Sequence, residues 1–357
     1  MQALIVLWLA VLMSGAVCQF ASTPHPTDTT NMPADKTATM NWASPTIVRV
    51  GILGNAADVP FHLAKEKGYL AEEGLDLDTV AFDSAQRMIA PLGADQLDVG
   101  YGAMGPGLVN AVARGVNIHV VAGQAQLSPG LRFTCVVVRK DLLDSGAVHA
   151  FVDMRGKTFA EPVPGNIITY LFEKELRAAG VHPSEVNYIT VPFPDVPAAF
   201  ANRVMDVATS VEPFNTLMEE RGIAQCWKPA GDIEPNFQVA VLLYGPAFVE
   251  QRSEAAKRFM VAYLRAARDY TRALFGDGQG RAELIDLLVR TTPVKDPSIH
   301  ERIAPIWIDP NGDINLASLR AVQRWYVERG DQSAEVDLTS LVDRSYLDYA
   351  LGRLGRY

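Results

Sequence analysis

VRVGILGNAADVPFHLAKEKGYLAEEGLDLDTVAF, residues 48–82, decides the fold class. IVRVGIL (47–53) is a β-branched run of strand length, VPFHLAKEKGYLAEEG (59–74) has helical spacing with breaks at Gly68 and Gly74, and LDLDTVAF (75–82) returns to strand character. Strand, helix, strand predicts a βαβ unit, with its two strands parallel and the helix packed on one face. The pattern continues with SAQRMIAPLG (84–93) as a helix, LDVGYG (97–102) as a strand, GPGLVNAVARG (105–115) as a helix and IHVVAG (118–123) as a strand.

A second series starts after FTCVVVRKD (133–141). Its strands are GKTFAEP (156–162), VNYITVP (186–192) and VATSVEP (207–213), alternating with helices GNIITYLFEKELRAAG (165–180), VPAAFANRVMD (196–206) and FNTLMEERG (214–222). FQVAVLLYG (237–245) is a further strand, followed by a helix-rich tail from Glu250. The expectation is an α/β protein of two lobes, each a mostly parallel sheet flanked by helices, with a ligand cleft between them. Lobe 1 takes residues 46–138 and 243–357, lobe 2 takes 139–242, and the hinges fall near Val138–Lys140 and Val241–Tyr244.

Composition agrees with two real cores: 357 residues, 48% hydrophobic and 20% charged. A net charge of −9 with no Lys/Arg-rich run excludes a nucleic-acid surface, which needs a local basic excess. LIVLWLAVLM (4–13) is an apolar run of export-signal length ending at small residues, so residues 1–17 read as a signal peptide and the Thr/Pro/Ser-rich stretch 18–45 as a flexible polar tether. Signal, Cys18 and tether together resemble a bacterial lipoprotein, which implies acylation of Cys18 and an outward-facing membrane anchor. Gly15 and Val17 depart from the usual residues before such a cysteine, and cleavage after Ala16 is the alternative. Either way the folded part is exported.

Of the remaining cysteines, Cys135 sits in the apolar run FTCVVV and reads as a buried core thiol; a bridge to Cys226 is the alternative that an oxidising compartment permits. The six histidines are scattered and no CxxC occurs, so neither a metal nor a cofactor is expected. DPNGDIN (309–315) is not a calcium loop, because Ile314 takes the glycine position and Arg320 that of the bidentate glutamate.

Gly100, Gly102 and Gly105 in DVGYGAMGPG (98–107) have the G-x-G-x-x-G spacing of a dinucleotide fingerprint. That fingerprint follows a first strand and is answered by an acid after the next one. Here it follows the third strand, and the next ends in Gly123-Gln124-Ala125-Gln126. The glycines are read instead as keeping side chains clear of a ligand and a helix start, or as turn geometry alone.

Residues 48–82, ADQLDVGYGAMGPGLVNAVARGVNIHVVAG, DMRGKTFAEPVPGNIITYLFEKEL, DVATSVEPFNTLMEERG and EVDLTSLVDRSYLDYAL resemble, in order and spacing, the solute-binding proteins of nitrate/taurine/alkanesulfonate-type ABC importers, including thiamine-pyrimidine and riboflavin binders. The resemblance covers roughly 46–350 and implies a type II periplasmic binding protein: a monomer whose lobes close on a small solute and hand it to a permease and ATPase, with no bond made or broken. Ligand contacts are then expected at Asn55, Asp58, Asp83, Ser84, Met104 and Gln124 in lobe 1 and at Glu161, Asn166, Glu212 and Phe214 in lobe 2. Amides, a hydroxyl, carboxylates and aromatic rings, with only Arg87 near them, suit a planar nitrogen-rich molecule such as riboflavin or the thiamine pyrimidine; taurine, sulfonate or nitrate is the alternative. Enzymes of pyrimidine and menaquinone biosynthesis share the fold, but the CCCFC segment of the fungal-type pyrimidine synthase is absent here.

Overall fold

The computed structural model describes residues 44–357; the expected signal peptide, Cys18 and the tether as far as residue 43 lie outside the described residues. In chain order the strands are β1 (Thr46–Ile52), β2 (Leu75–Ala81), β3 (Val99–Gly102), β4 (His119–Gln126), β5 (Thr134–Arg139), β6 (Thr158–Glu161), β7 (Asn187–Thr190), β8 (Val207–Val211), β9 (Ala224–Pro229) and β10 (Gln238–Tyr244). They form two five-stranded sheets, β2-β1-β3-β10-β4 and β7-β6-β8-β5-β9. One arrangement is thus used twice.

The βαβ units pair in parallel as expected, β1 with β2 and β3, and β6 with β7 and β8. One strand in each sheet runs against its neighbours: β10 in the first and β5 in the second. Both arrive from the other lobe through short connections, the second holding only the one-turn helix Ala230–Ile233, instead of the long crossover that a parallel connection requires. The sheet change therefore lies at 127–133 and 230–237, ahead of the expected hinges. β5 belongs wholly to the second sheet and β10 to the first, so lobe 2 takes its strands from 134–229 instead of 139–242.

β5 shows why its sequence has no alternation. Val136 and Val138 pack with Phe159 and Phe172 on one face, while Cys135 and Val137 pack with Phe200 and Met218 on the other. A strand covered on both faces reads as a continuous apolar run. β9, which sequence analysis passes over, pairs with β5 at the sheet edge. That pairing corrects the cysteine reading: Cys135 and Cys226 form a disulfide, with Cα atoms 5.5 Å apart.

Lobe 1 is covered by the long helix Ser253–Phe275, whose Phe259, Met260, Tyr263, Leu264, Ala267 and Tyr270 recur at helical spacing and are buried. Its Tyr270 hydroxyl donates to the Ile306 carbonyl and Thr271 to that of Ile308, fixing the segment after residue 303 to this helix, while Gln126 N of β4 donates to the Trp307 carbonyl. The helix Leu316–Arg329 instead reaches lobe 2. There Glu173, 2% exposed, accepts from Trp325 Nε1 (3.0 Å), Arg329 (2.8 Å) and Arg177 (3.2 Å). Breaking a buried ion pair costs about 3–5 kcal/mol, but Arg329 is 28% exposed and Arg177 stays. Arg329→Ala is expected to lower the urea unfolding free energy by about 2 kcal/mol; a change below about 0.5 kcal/mol, the level of an exposed pair, would contradict this reading of the network.

Candidate functional site

A cavity of about 90 Å³ lies where the two sheets face each other. From lobe 1 it is lined by Asn55, Ser84, Gln86, Tyr101, Gly102 and Gln124; from lobe 2 by Thr134, Pro162, Asn166, Ile167, Phe193 and Val211. Phe133 and Ala240, beside the two crossings, and Ile306 of the tail complete the apolar part. Among the described residues no Lys, Arg, His, Asp or Glu lines it. Four of the ten expected contacts are brought together here: Asn55, Ser84, Gln124 and Asn166.

Two of them are helix caps, one from each lobe. Asn55 Oδ1 accepts from Ala57 N, and Asn166 Oδ1 accepts from Ile168 N, each satisfying a backbone donor that the following helix leaves free. Gln124, on β4 and fully buried, donates from Nε2 to the Ala57 carbonyl at 2.9 Å. That bond leaves its Oε1 as an acceptor without a partner, and Ser84 Oγ and Thr134 Oγ1 are likewise buried and unpartnered.

The other six do not line the cavity, and their partners show what they do instead. Asp58 is buried behind it, accepting from Leu53 N, Asn55 N and the Tyr101 hydroxyl (2.6 Å). It holds the turn 53–55 and turns Tyr101 so that the ring, with its hydroxyl committed, is what the cavity meets. Burial, partly offset by those hydrogen bonds, pushes Asp58 up to about 6. Glu161 performs the matching task in lobe 2, accepting from Thr169 Oγ1 (2.5 Å) and Asn166 N, and its burial raises its pKa. Asp83 is exposed beside Arg87, 3.5 Å away, which also removes the one cation near the expected turns. Met104 is buried in the lobe 1 core, and Phe214, at the start of the lobe 2 helix Phe214–Glu220, is buried in the same apolar cluster.

Glu212 lines a separate polar cavity of about 200 Å³ with Arg132, Asn215 and Arg302. Its carboxylate accepts from Thr216 N and Oγ1 and, across to the tail, from Ala304 N at 3.2 Å. Burial pushes it up to about 7.

The glycine loop is a packing device. Gly102 has φ +150°, and a Cβ there would lie 2.2 Å from the Ala85 Cβ. Its bare backbone lets the 84–88 turn close over β3 and form one wall of the cavity. Tyr101 and Phe193, expected near the contacts, line the cavity; Thr134 was absent from the expected contacts because its place depends on strand pairing, and the hydrophobic run around it signals burial only.

Comparison with known proteins is consistent with this architecture. A family model described as NMT1/THI5 like matches residues 55–273. The chain belongs to the NMT1/THI5-like family. A Brucella abortus (strain 2308) protein whose name reads "putative binding protein" is 27% identical over 213 residues, covering 59% of this chain. The chain spans 62% of the length of that curated relative. In fold it is similar to the periplasmic nitrate-binding protein of Synechocystis PCC 6803 (TM-score 0.70, 15% identity, 87% of this chain and 89% of that one). It is also similar to the periplasmic aliphatic sulphonate-binding protein of Escherichia coli (TM-score 0.65, 18% identity, 85% and 100%). A desulfurization enzyme, DszB, shares the fold as well (TM-score 0.59, 16% identity, 87% and 99%). The two-lobed α/β fold is therefore that of periplasmic binding proteins and of at least one enzyme.

Proposed function

We propose that this chain is the solute-binding component of an ABC-type importer, exported and facing outward, which closes on a small uncharged nitrogen heterocycle and passes it unaltered to a permease driven by an ATPase. The observation that carries this reading is a cavity lined from both lobes by uncharged amide, hydroxyl and aromatic side chains. A solute touching both lobes favours the closed arrangement by its differential contacts. The same cavity would hold nitrate or a sulfonate poorly, because no cation lines it. Binding of such anions is what the names of the two structurally similar proteins describe, and it is the second reading.

Size narrows the choice further. A water needs about 10–15 Å³ by this measure, so 90 Å³ holds roughly six to nine waters' worth of atoms. A single ring with short substituents, such as the thiamine pyrimidine, fits that space; riboflavin needs the lobes further apart. Against catalysis, the lining hydroxyls of Ser84 and Thr134 have no base within hydrogen-bond reach, and burial beside Asp58 raises the Tyr101 phenol far above its usual value. Cys18 acylation and a monomeric state belong to the same proposal.

A thermal-shift screen of the purified protein against pyrimidines, flavins, taurine, sulfonates, nitrate and bicarbonate tests it. A ligand at a hundredfold excess over its Kd adds about 2.7 kcal/mol, which for a chain of 357 residues raises Tm by about 4 °C. The pyrimidine is expected to give that rise and to be recovered unaltered. A rise with the anions alone, or conversion of the added heterocycle, contradicts the proposal.

A further inference from the structure

Three residues that line the cavity each keep a buried polar side-chain atom without a partner among the described residues, and their chemistry specifies the solute more narrowly than its size does. Gln124, Ser84 and Thr134 are 0%, 6% and 2% exposed, and Gln124 Oε1, Ser84 Oγ and Thr134 Oγ1 make no hydrogen bond among the described residues. All three residues line the one cavity. A buried polar group left unmade is costly, so three around one space point to a ligand that completes them.

Their roles are not equivalent. The hydroxyls rotate and can donate or accept. Gln124 cannot adapt, because its amide nitrogen is held by the Ala57 carbonyl and only the carbonyl oxygen is free. An acceptor fixed in this way, with no cation in the lining, requires a donor on the solute. Ser84 and Gln124 belong to lobe 1 and Thr134 opens β5 of the second sheet, so one solute satisfies all three only by bridging the lobes.

We propose that Gln124 Oε1 is the specificity-determining acceptor of the cavity, selecting an uncharged planar heterocycle that carries an amino or ring N–H group, with the Ser84 and Thr134 hydroxyls completing its hydrogen bonds from opposite lobes. The assignment rests on the solute-binding reading above. It differs from a size filter in one respect: an isosteric solute with a methyl in place of the amino group fits the space and leaves Gln124 Oε1 unpaired. A site built to bond a polar group rejects the analogue lacking it far more strongly than a pocket rejects a missing methylene.

Calorimetric titration of the full-length protein with the thiamine pyrimidine and with its 4-methyl analogue, in which methyl replaces the 4-amino group, tests this. The amino compound is expected to bind at least about 30-fold more tightly. Gln124→Met is expected to bring the two within about threefold of each other, and Thr134→Val to weaken the amino compound by about tenfold without unfolding the protein. Equal binding of the two compounds by the unmodified protein, or an unchanged ratio in Gln124→Met, overturns the assignment while leaving the solute-binding reading intact. Failure of both compounds to bind overturns the pyrimidine reading itself, and the assignment with it.

Discussion

Serine at both Cys135 and Cys226 is expected to remove about 2–4 kcal/mol of stability. The bridge closes a loop of 91 residues, which spans nearly the whole of lobe 2 from β5 to β9. In the chain-entropy picture a closure of that length confines the unfolded ensemble by somewhat more than 4 kcal/mol, and measured values usually fall below that ceiling. Both sulfurs belong to buried residues in the apolar face shared with Phe200 and Met218. Two serines there also bury hydroxyls with no obvious partner, so alanine at both positions is the better comparison. Urea unfolding of the double variant against the oxidised protein is the measurement; a difference below about 1 kcal/mol would contradict the role given to the bridge.

The second large effect is a fall in stability as pH rises from 5 to 8. Glu212 is pushed from 4.5 up to about 7 and Asp58 from 3.8 up to about 6, in both cases because burial penalises the carboxylate more than its hydrogen bonds favour it. The folded state therefore keeps two protons that the unfolded chain has already released near pH 5. Stability from these groups is complete below their unfolded values and is lost as pH rises through about 6 for Asp58 and about 7 for Glu212. Above pH 5 about one pH unit of that interval remains for Asp58 and about two for Glu212, so at 1.36 kcal/mol per unit the loss up to pH 8 is about 1 and 3 kcal/mol respectively. Asp98 acts in the opposite sense at lower pH: burial raises it, but hydrogen bonds from Arg49, its backbone N–H and Arg252 outweigh that and hold it below the usual range. His62 and His300, whose pKa values burial lowers, oppose this fall around pH 6, so the comparison is with Glu212→Gln: the Tm of the unmodified protein relative to that variant is expected to fall from pH 5 to 8. A difference in Tm between the unmodified protein and Glu212→Gln that stays constant from pH 5 to 8 would show that Glu212 is ionised in the folded state.

The sequence was most informative where local pattern and burial coincide. The βαβ order, the helix-rich tail and the pairing of β1 with β2 follow from β-branched runs and helical spacing. Asn55 and Asn166 were found because a helix-capping residue at a strand end marks both a helix start and a cleft wall. What was hidden depends on pairing between distant segments. β9 is short and half polar, AQCWKP, so the edge strand went unseen, and with it the neighbour that brings Cys226 to Cys135. The antiparallel crossing strands shifted the lobe boundaries for the same reason, since a strand's sequence does not say which sheet receives it. Asp58, Glu161 and Glu212 carried the chemistry expected of ligand contacts, but the first two lie behind the cavity and Glu212 lines a separate one, and all three hold backbone N–H groups and hydroxyls. A buried carboxylate next to a strand end looks the same in sequence whether it touches the solute or positions what does.

Filling the cavity is the most direct test of whether the solute binds between the two sheets. Ala103 lines it in the loop after β3 and is only partly buried, so Ala103→Trp places an indole in the space with little demand on the core. The account predicts a folded protein with a cooperative melt and at least a hundredfold loss of affinity for the thiamine pyrimidine in calorimetric titration. Binding by Ala103→Trp at the affinity of the unmodified protein would place the solute elsewhere and contradict the account.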